Sequence, residues 1–166
     1  HRDRKGPRFF RCYEWRDAEG NILIEGVMQF ALVSVTDHRL LRGDEFMALA
    51  PLPDATRGVH CADPGRFRLT DGKDGGTHTV RWSDNDRNGH MNNTRYLDWV
   101  IDLLPSRFHG AHSPTEFTVC YMTESREGQT LSLGWTLGED GSVQVDGTRS
   151  GERIFAALLQ FEDGVL

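Results

Sequence analysis

The clearest pattern in the chain is an alternation of apolar and polar residues over its last third. Short segments at residues 142–145 and 152–161 continue it, with Gly-containing turns between them. Period-two alternation is typical of strands with one buried face, and short turns favour antiparallel neighbours. The pattern therefore predicts a run of antiparallel strands. Its strongest apolar positions are Phe117, Val119, Tyr121, Leu131, Leu133, Trp135 and Leu137.

One helix is predicted directly before these strands. Asn92 and Asn93 are good N-cap residues, and a β-like run at residues 78–82 comes shortly before them. A helix followed by consecutive antiparallel strands is an α+β layout, in which the sheet curls around the helix. The spacing puts an apolar and a polar face on opposite sides of this helix: Tyr96, Val100, Leu103 and Leu104 on one, Arg95, Asp98 and Asp102 on the other.

The start of the chain predicts a separate hairpin. Residues 8–15 alternate, residues 17–21 are rich in turn formers, and residues 22–35 form a second, longer strand. A two-stranded hairpin is marginal by itself, and nothing N-terminal in this sequence covers its apolar face. Residues 36–76 follow without a period of 2 or 3.6 and are rich in Pro, Gly, Asp and Arg, so they are interpreted as a connector.

Composition narrows the class of protein. The 166 residues are 37% hydrophobic and include four Trp, enough for a packed core, and no apolar run is long enough to span a bilayer. The net charge of −6 argues against a nucleic acid partner. Cys12, Cys61 and Cys120 are odd in number and far apart, which favours reduced thiols in a cytosol-like compartment over a disulfide framework or a zinc site.

The candidate chemistry lies in the polar loop between the β-like run and the helix. Asp86, Asn88 and His90 stand at alternate positions immediately before the helix start. An acid, an amide and an imidazole are thus placed beside the positive end of a helix dipole, where developing negative charge is stabilised.

Two other interpretations of this loop are open to a test on the sequence. Asp84, Asp86, Asn88 and Gly89 fit the early positions of an EF-hand calcium loop, but its last position, which needs Glu, holds Arg95. A solvated turn rich in Asp, Asn and Gly would explain Gly89, yet not why His90 precedes a packed helix.

Two segments resemble the acyl-acyl carrier protein (acyl-ACP) thioesterases of plants and bacteria. The first combines Asp86, Asn88, His90, Asn92, Asn93, Tyr96 and Trp99, and the second is the run from Tyr121 to Ser125, which resembles the strand that carries the family's catalytic Glu. The family often has Cys at the position of Ser125, a departure that speaks against a Cys nucleophile here. The resemblance implies a double-hotdog enzyme that hydrolyses fatty acyl chains from ACP.

The resemblance also implies a domain organisation. Residues 77–166 would form the second hotdog, an antiparallel sheet wrapped around one central helix, which carries the catalytic loop. Residues 1–45 would be the C-terminal strands of a first, incomplete hotdog, and residues 46–76 the connector. The rest of the first hotdog would come from a longer polypeptide or a homodimer partner.

Thioester hydrolysis requires an activated water and donors for the oxyanion. Glu124 is the expected base with His90 as its partner or alternative, and Asn88 orients the reactants. Backbone N–H groups from Gly89 to Asn92 are expected to form the oxyanion site. Asp86 would either align these groups or attack directly to give an acyl anhydride. We expect Asp86, Asn88, His90 and Glu124 to converge on one site, with no cofactor or metal ion.

The expected partner is an ACP that carries a fatty acyl-phosphopantetheine. Because ACPs are acidic and this chain is too, binding would need local cations. An ACP substrate implies the bacterial cytoplasm, or the plastid in a plant. A hotdog dehydratase or hydratase and a non-catalytic acyl-binding module are the alternative functions. The residues expected to bind substrate are Arg87, Gly89, Asn92, Asn93, Arg95, Tyr96, Trp99 and Arg126.

Overall fold

The structure is a computed structural model that describes residues 8–37, 39–49, 67 and 72–163. The chain divides into two compact units, His1–Gly65 and Arg66–Leu166. Most of the predicted connector, and Cys61 with it, lies outside the described residues. Cys12 and Cys120 are both in the thiol form.

The first unit contains the predicted hairpin. Strands β1 (Arg8–Arg16) and β2 (Ile22–Ala31) pair antiparallel, and Asp17 closes the turn by accepting the Asn21 N–H at 2.7 Å. Trp15 is 68% exposed, one of several large apolar side chains that remain open to solvent on this hairpin.

A short helix that sequence analysis missed follows the hairpin. Helix α1 (Gly43–Leu49) crosses the predicted boundary at residue 45. Its first turn holds Asp44 and Glu45, whose charge suits a helix N-terminus. Arg39 contacts Glu45 at 2.9 Å. With only seven residues, the helix is too short for an apolar period to be recognised.

The second unit is built on one antiparallel sheet of five strands. They are β3 (Lys73–Thr79), β4 (His112–Tyr121), β5 (Thr130–Leu137), β6 (Val143–Arg149) and β7 (Glu152–Asp163), in the spatial order β3-β5-β6-β7-β4. The predicted strands are confirmed. The β-like run lies earlier than expected, because β3 begins inside the predicted connector and residues Trp82–Asp84 form a 3-10 turn.

Helix α2 (Asn93–Asp102) packs its apolar face against this sheet, and a short helix α3 (Ser106–His109) follows it. Asn92 caps α2 by accepting the Thr94 N–H at 3.0 Å. The sheet wrapped around one helix is the expected hotdog arrangement. The core joins helix and strand residues: Tyr96, Trp99, Val100 and Leu104 with Leu131, Leu133, Val143, Val145, Phe155 and Leu159.

Within the described part of the chain, no helix has both the length and the apolar character that a bilayer crossing requires.

Gly147 provides a test of this packing. A Cβ added there would overlap the ring of Phe155, which is fully buried in the core. Overpacking of a core costs about 1–3 kcal/mol, so Gly147→Ala should lower the free energy of unfolding by that amount in urea titrations followed by Trp fluorescence. Gly110→Ala is the matched control, because a Cβ there meets only ordinary contacts and should change stability by less than about 0.5 kcal/mol. Equal effects of the two substitutions would contradict the packing argument.

Candidate active site

The polar loop before helix α2 is a tightly closed turn. An isolated bridge pairs Asn85 with Met91, and the Asp86 N–H donates to the His90 carbonyl at 2.7 Å. Gly89 has φ 74°, a left-handed conformation that glycine adopts without strain. The turn therefore returns the chain on itself, and His90 lies beside Asp86.

The carboxylate of Asp86 is the hub of this turn. One of its oxygens accepts the N–H groups of Asn88 at 2.8 Å and His90 at 3.2 Å, and the other accepts the Asn88 side-chain amide at 3.3 Å. The hydrogen bond from the Asn88 N–H is the largest cause that lowers the Asp86 pKa, so the group is anionic at neutral pH. Both oxygens therefore accept hydrogen bonds within the loop, which hold the carboxylate in a fixed orientation.

His90 meets the candidate base across the site. The distance from His90 Nε2 to Glu124 Oε2 is 3.0 Å, within hydrogen-bond reach. The Glu124 side chain is 66% exposed and that of His90 is 23% exposed. The Glu124 carboxylate is therefore open to solvent, and the His90 imidazole is mostly buried. This arrangement suits the pair to remove a proton from a water molecule.

Backbone hydrogen bonds hold the Glu124 segment against the loop. The Met91 N–H donates to the Ser125 carbonyl at 2.8 Å, which joins the two segments directly. On the other side of Glu124, the N–H groups of Met122 and Thr123 both donate to the Ile154 carbonyl of β7. The position of Glu124 relative to His90 thus depends on the register of the sheet.

A cleft of about 260 Å³ opens at this point. The four expected catalytic residues all line it, so the structure brings them together. Tyr121, Met122 and Thr123 also line it; the sequence placed them in the segment before Glu124 but did not assign them to the site. The full lining is Asp86, Asn88, His90, Met91, Asn93, Tyr96, Tyr121, Met122, Thr123 and Glu124.

Two tyrosines form one wall of the cleft. Their rings pack edge to face at 5.5 Å, and the Tyr121 hydroxyl donates to the Asn93 carbonyl at 2.9 Å. Burial raises the pKa of Tyr121 to about 12, and burial also raises that of Tyr96, so both phenols are neutral at physiological pH. Ser125 lies beside Tyr96, fully buried, and its Oγ makes no hydrogen bond of ordinary geometry with a described residue, although its contact with Tyr96 acts to lower the pKa of that phenol against the larger effect of burial.

All four expected oxyanion donors, the N–H groups of residues 89–92, already donate to other acceptors. The N–H groups of Gly89 and His90 donate to Asp86, that of Met91 to Ser125, and that of Asn92 to the Asp84 carbonyl at 2.8 Å. In the run from Gly89 to Thr94, only the Asn93 N–H has no acceptor among the described residues. It stands at the first position of helix α2, and Asn93 lines the cleft. The donor available for an oxyanion is thus one residue beyond the expected range.

The residues expected to bind substrate fall into two groups. Asn93 and Tyr96 line the cleft, whereas the others do not. Among the latter, Gly89 and Asn92 shape the backbone, Trp99 is buried and stacks on His78 at 4.9 Å, and Arg95 contacts Asp98 at 2.9 Å. The remaining two, Arg87 and Arg126, are exposed.

The described residues contain no group of three or more His, Cys, Asp or Glu side chains arranged to hold a metal ion.

Comparison with known proteins connects this site to a family. Residues 70–162 match the family model described as the acyl-ACP thioesterase C-terminal domain. This segment includes the cleft, helix α2 and the whole five-stranded sheet apart from the last residue of β7.

Individual proteins agree with this match. The chain is 26% identical over 155 residues to a chloroplast acyl-ACP hydrolase of Cuphea viscosissima, covering 87% of this chain and 35% of that protein. It is 30% identical over 86 residues to the chloroplast dodecanoyl-ACP hydrolase of Cinnamomum camphora, covering 52% of this chain and 21% of that protein. The chain therefore spans about a fifth to a third of the length of these relatives.

A solved structure supports the fold independently. The acyl-ACP thioesterase of Bacteroides thetaiotaomicron superposes with a TM-score of 0.83 at 20% identity, covering 96% of this chain and 65% of that one. Because the family match extends over more than half of the chain and contains the cleft, the chain belongs to the acyl-ACP thioesterase family.

Proposed function

We propose that this protein hydrolyses the thioester of a fatty acyl-ACP to give a free fatty acid and ACP with its thiol restored. The observation that carries the proposal is the 3.0 Å contact between His90 and Glu124 inside the cleft. Asp86 and Asn88 stand on one side of this pair, and the apolar parts of Tyr96 and Tyr121 offer a surface for an acyl chain. Family membership supports the same reaction class.

In the proposed reaction, water is the nucleophile. Glu124, with His90 as its partner, removes a proton from the water as its oxygen attacks the thioester carbon. The resulting oxyanion accepts the Asn93 N–H at the start of helix α2, where the dipole also stabilises negative charge. Collapse of the adduct breaks the carbon–sulfur bond, and the departing thiolate takes the proton held by the pair. Asp86 and Asn88 hold the loop and the reactants, so no anhydride is required.

The proposed partner is an ACP, and the proposed docking cations are Arg87 and Arg126. Both side chains are exposed, and each follows closely on a cleft residue, Asp86 in one case and Glu124 in the other. Arg95 is less suited, because Asp98 already neutralises it at 2.9 Å. An acidic partner would need such a local cluster because this chain itself has a net charge of −6.

The compartment we propose is the one in which acyl-ACP is made, the bacterial cytosol or, in a plant, the plastid. Two of the similar proteins are chloroplast proteins by name.

The catalytic assignment is tested by His90→Ala and Glu124→Gln in the whole natural protein. Each should lower kcat by about a hundredfold or more, the usual range for loss of a general acid–base group. Release of free thiol from acyl-ACP is the measurement, and circular dichroism confirms that the variants remain folded. Loss of enoyl absorbance without release of thiol would instead indicate a dehydratase or hydratase.

Ser125→Ala is the matched control beside Glu124. The Ser125 hydroxyl is fully buried beside Tyr96 and makes no hydrogen bond of ordinary geometry with a described residue, so its removal deletes at most a weak polar contact. We expect unchanged kcat and a melting temperature equal to or slightly above that of the wild type. A loss of activity as large as that of His90→Ala would make Ser125 the nucleophile and refute the water mechanism.

The docking assignment is tested by reversal of charge. Arg87→Glu combined with Arg126→Glu should raise KM for acyl-ACP and leave KM for a short acyl thioester without the protein carrier almost unchanged. The difference should shrink as salt rises, because screening limits such attraction to about 8 Å at physiological ionic strength.

Arg107→Glu provides the control for one charge reversal away from the cleft, to be compared with Arg87→Glu and Arg126→Glu taken singly. Arg107 lies in helix α3, which follows the end of α2 that is remote from the cleft loop. Arg107→Glu should leave KM unchanged for both acyl-ACP and the short acyl thioester. If the double reversal affects both substrates equally, the two arginines serve the cleft or the fold and not docking.

A further inference from the structure

The turn that follows Glu124, at residues 126–129, is closed by one glutamine side chain. Gln129 Oε1 accepts the N–H of Arg126 at 2.9 Å, and the Gln129 N–H donates to the Arg126 carbonyl at 3.1 Å. Gly128, between them, has φ 80°. Both the backbone and the side chain of Gln129 therefore fix the shape of residues 126–129, two positions after Glu124.

The same glutamine oxygen accepts a second donor from another hairpin. Arg149, the last residue of β6, donates its guanidinium to Gln129 Oε1 and to the carbonyl of Glu124, the latter at 3.4 Å. No carboxylate among the described residues forms an ion pair with this half-buried guanidinium, which donates instead to these two neutral oxygens. The Arg149 guanidinium thus contacts the backbone of Glu124, the proposed base.

The tip of the β6–β7 hairpin also contacts the other side of Glu124. Glu152 faces Arg149 in the strand register, and its carboxylate accepts the Thr123 hydroxyl at 3.0 Å. Between them, Ser150 at φ 52° and Gly151 at φ 81° form the tight turn that fixes the hairpin tip. The residue before Glu124 and the backbone of Glu124 itself are thus both attached to one rigid hairpin end.

The side chain of Glu124 has little support of its own. It is 66% exposed, and His90 is the one described residue that forms a hydrogen bond or ion pair with its carboxylate. Its direction therefore depends on how firmly its backbone is held. A displacement of a catalytic group by about 1 Å can lower the rate a hundredfold. Contacts that hold the Glu124 backbone therefore also affect how well its carboxylate can act as the base.

We infer that Gln129 and Arg149 are positioning residues for Glu124: Arg149 reaches from the β6–β7 hairpin to the Glu124 carbonyl, and Gln129 holds both the Arg149 guanidinium and the turn that follows Glu124. We call this pair the clamp. The inference rests on the proposed function, in which Glu124 is the base. Neither residue lines the cleft, and the clamp reaches it only through the backbone of Glu124. It should therefore affect the chemical step and leave the binding of the acyl chain unchanged.

Gln129 offers a nearly isosteric pair of variants. Gln129→Met removes the acceptor, whereas Gln129→Glu keeps an oxygen that can accept both the Arg126 N–H and the Arg149 guanidinium. In the whole natural protein, Gln129→Met and Arg149→Met should lower kcat for acyl-ACP about tenfold to a hundredfold with KM unchanged, the range expected for a misplaced catalytic group. Gln129→Glu should retain kcat within about threefold, because the clamp remains.

A second experiment tests whether Gln129 and Arg149 act through Glu124. In a Glu124→Gln background, Arg149→Met and Gln129→Met should lower kcat no further, because the group that they position is already lost. Glu127→Ala is the control in the same turn, since its exposed side chain forms no hydrogen bond or ion pair among the described residues, and it should leave kcat unchanged.

Each other outcome overturns the inference. Equal kcat values for the Met and Glu variants of Gln129 would show that the acceptor does not matter. If Arg149→Met does not fold, the comparison of these two Gln129 variants is the deciding test. A full loss in the Glu124→Gln background would show a structural role unrelated to the base. If Glu124→Gln retains the wild-type kcat, the proposed function is refuted. If Glu124→Gln loses activity but Gln129→Met and Arg149→Met retain the wild-type kcat, only the positioning role of the clamp is refuted.

Discussion

The candidate site depends on one backbone hydrogen bond, from the Met91 N–H to the Ser125 carbonyl at 2.8 Å. It is the direct link between the loop that carries His90 and the turn that carries Glu124. Met91 is also buried in the core with 3% exposure, so the same residue anchors the loop to the sheet and helix. The short distance between imidazole and carboxylate is therefore a property of the packed domain and not of two mobile side chains.

Local patterns predicted much of this arrangement. The period-two runs predicted β4 to β7, and the Asn caps with apolar residues at helical spacing predicted α2, because both signals depend on neighbours within one element. Asp86, Asn88 and His90 were recognisable because their spacing is local. Glu124 is different: on its own it reads as an exposed strand carboxylate, and resemblance to a family was needed to single it out.

What the sequence did not predict depends on contacts between distant segments. The loop N–H groups looked available for an oxyanion, but Asp84, Asp86 and Ser125 accept them, and that leaves only Asn93 as a donor. The contact of Tyr121 with the Asn93 carbonyl and that of Arg149 with Gln129 both join elements far apart in sequence. Such pairings follow from strand register, which no local period determines.

The site has two halves, the loop that carries Asp86 and His90 and the segment that carries Glu124, and they differ in the length of chain that their hydrogen bonds close. All of its bonds close loops of four residues or fewer, whereas the bond between Met91 and Ser125 spans more than thirty residues. Chain entropy makes the longer closure costlier by roughly 2 kcal/mol, since each doubling of loop length adds about 0.6 kcal/mol. The acidic turn is therefore a local closure, whereas Glu124 is brought to it only by the pairing of β4 with β7 and of β5 with β3 and β6. The competent site requires the assembled sheet, although one half of it is closed by local bonds alone.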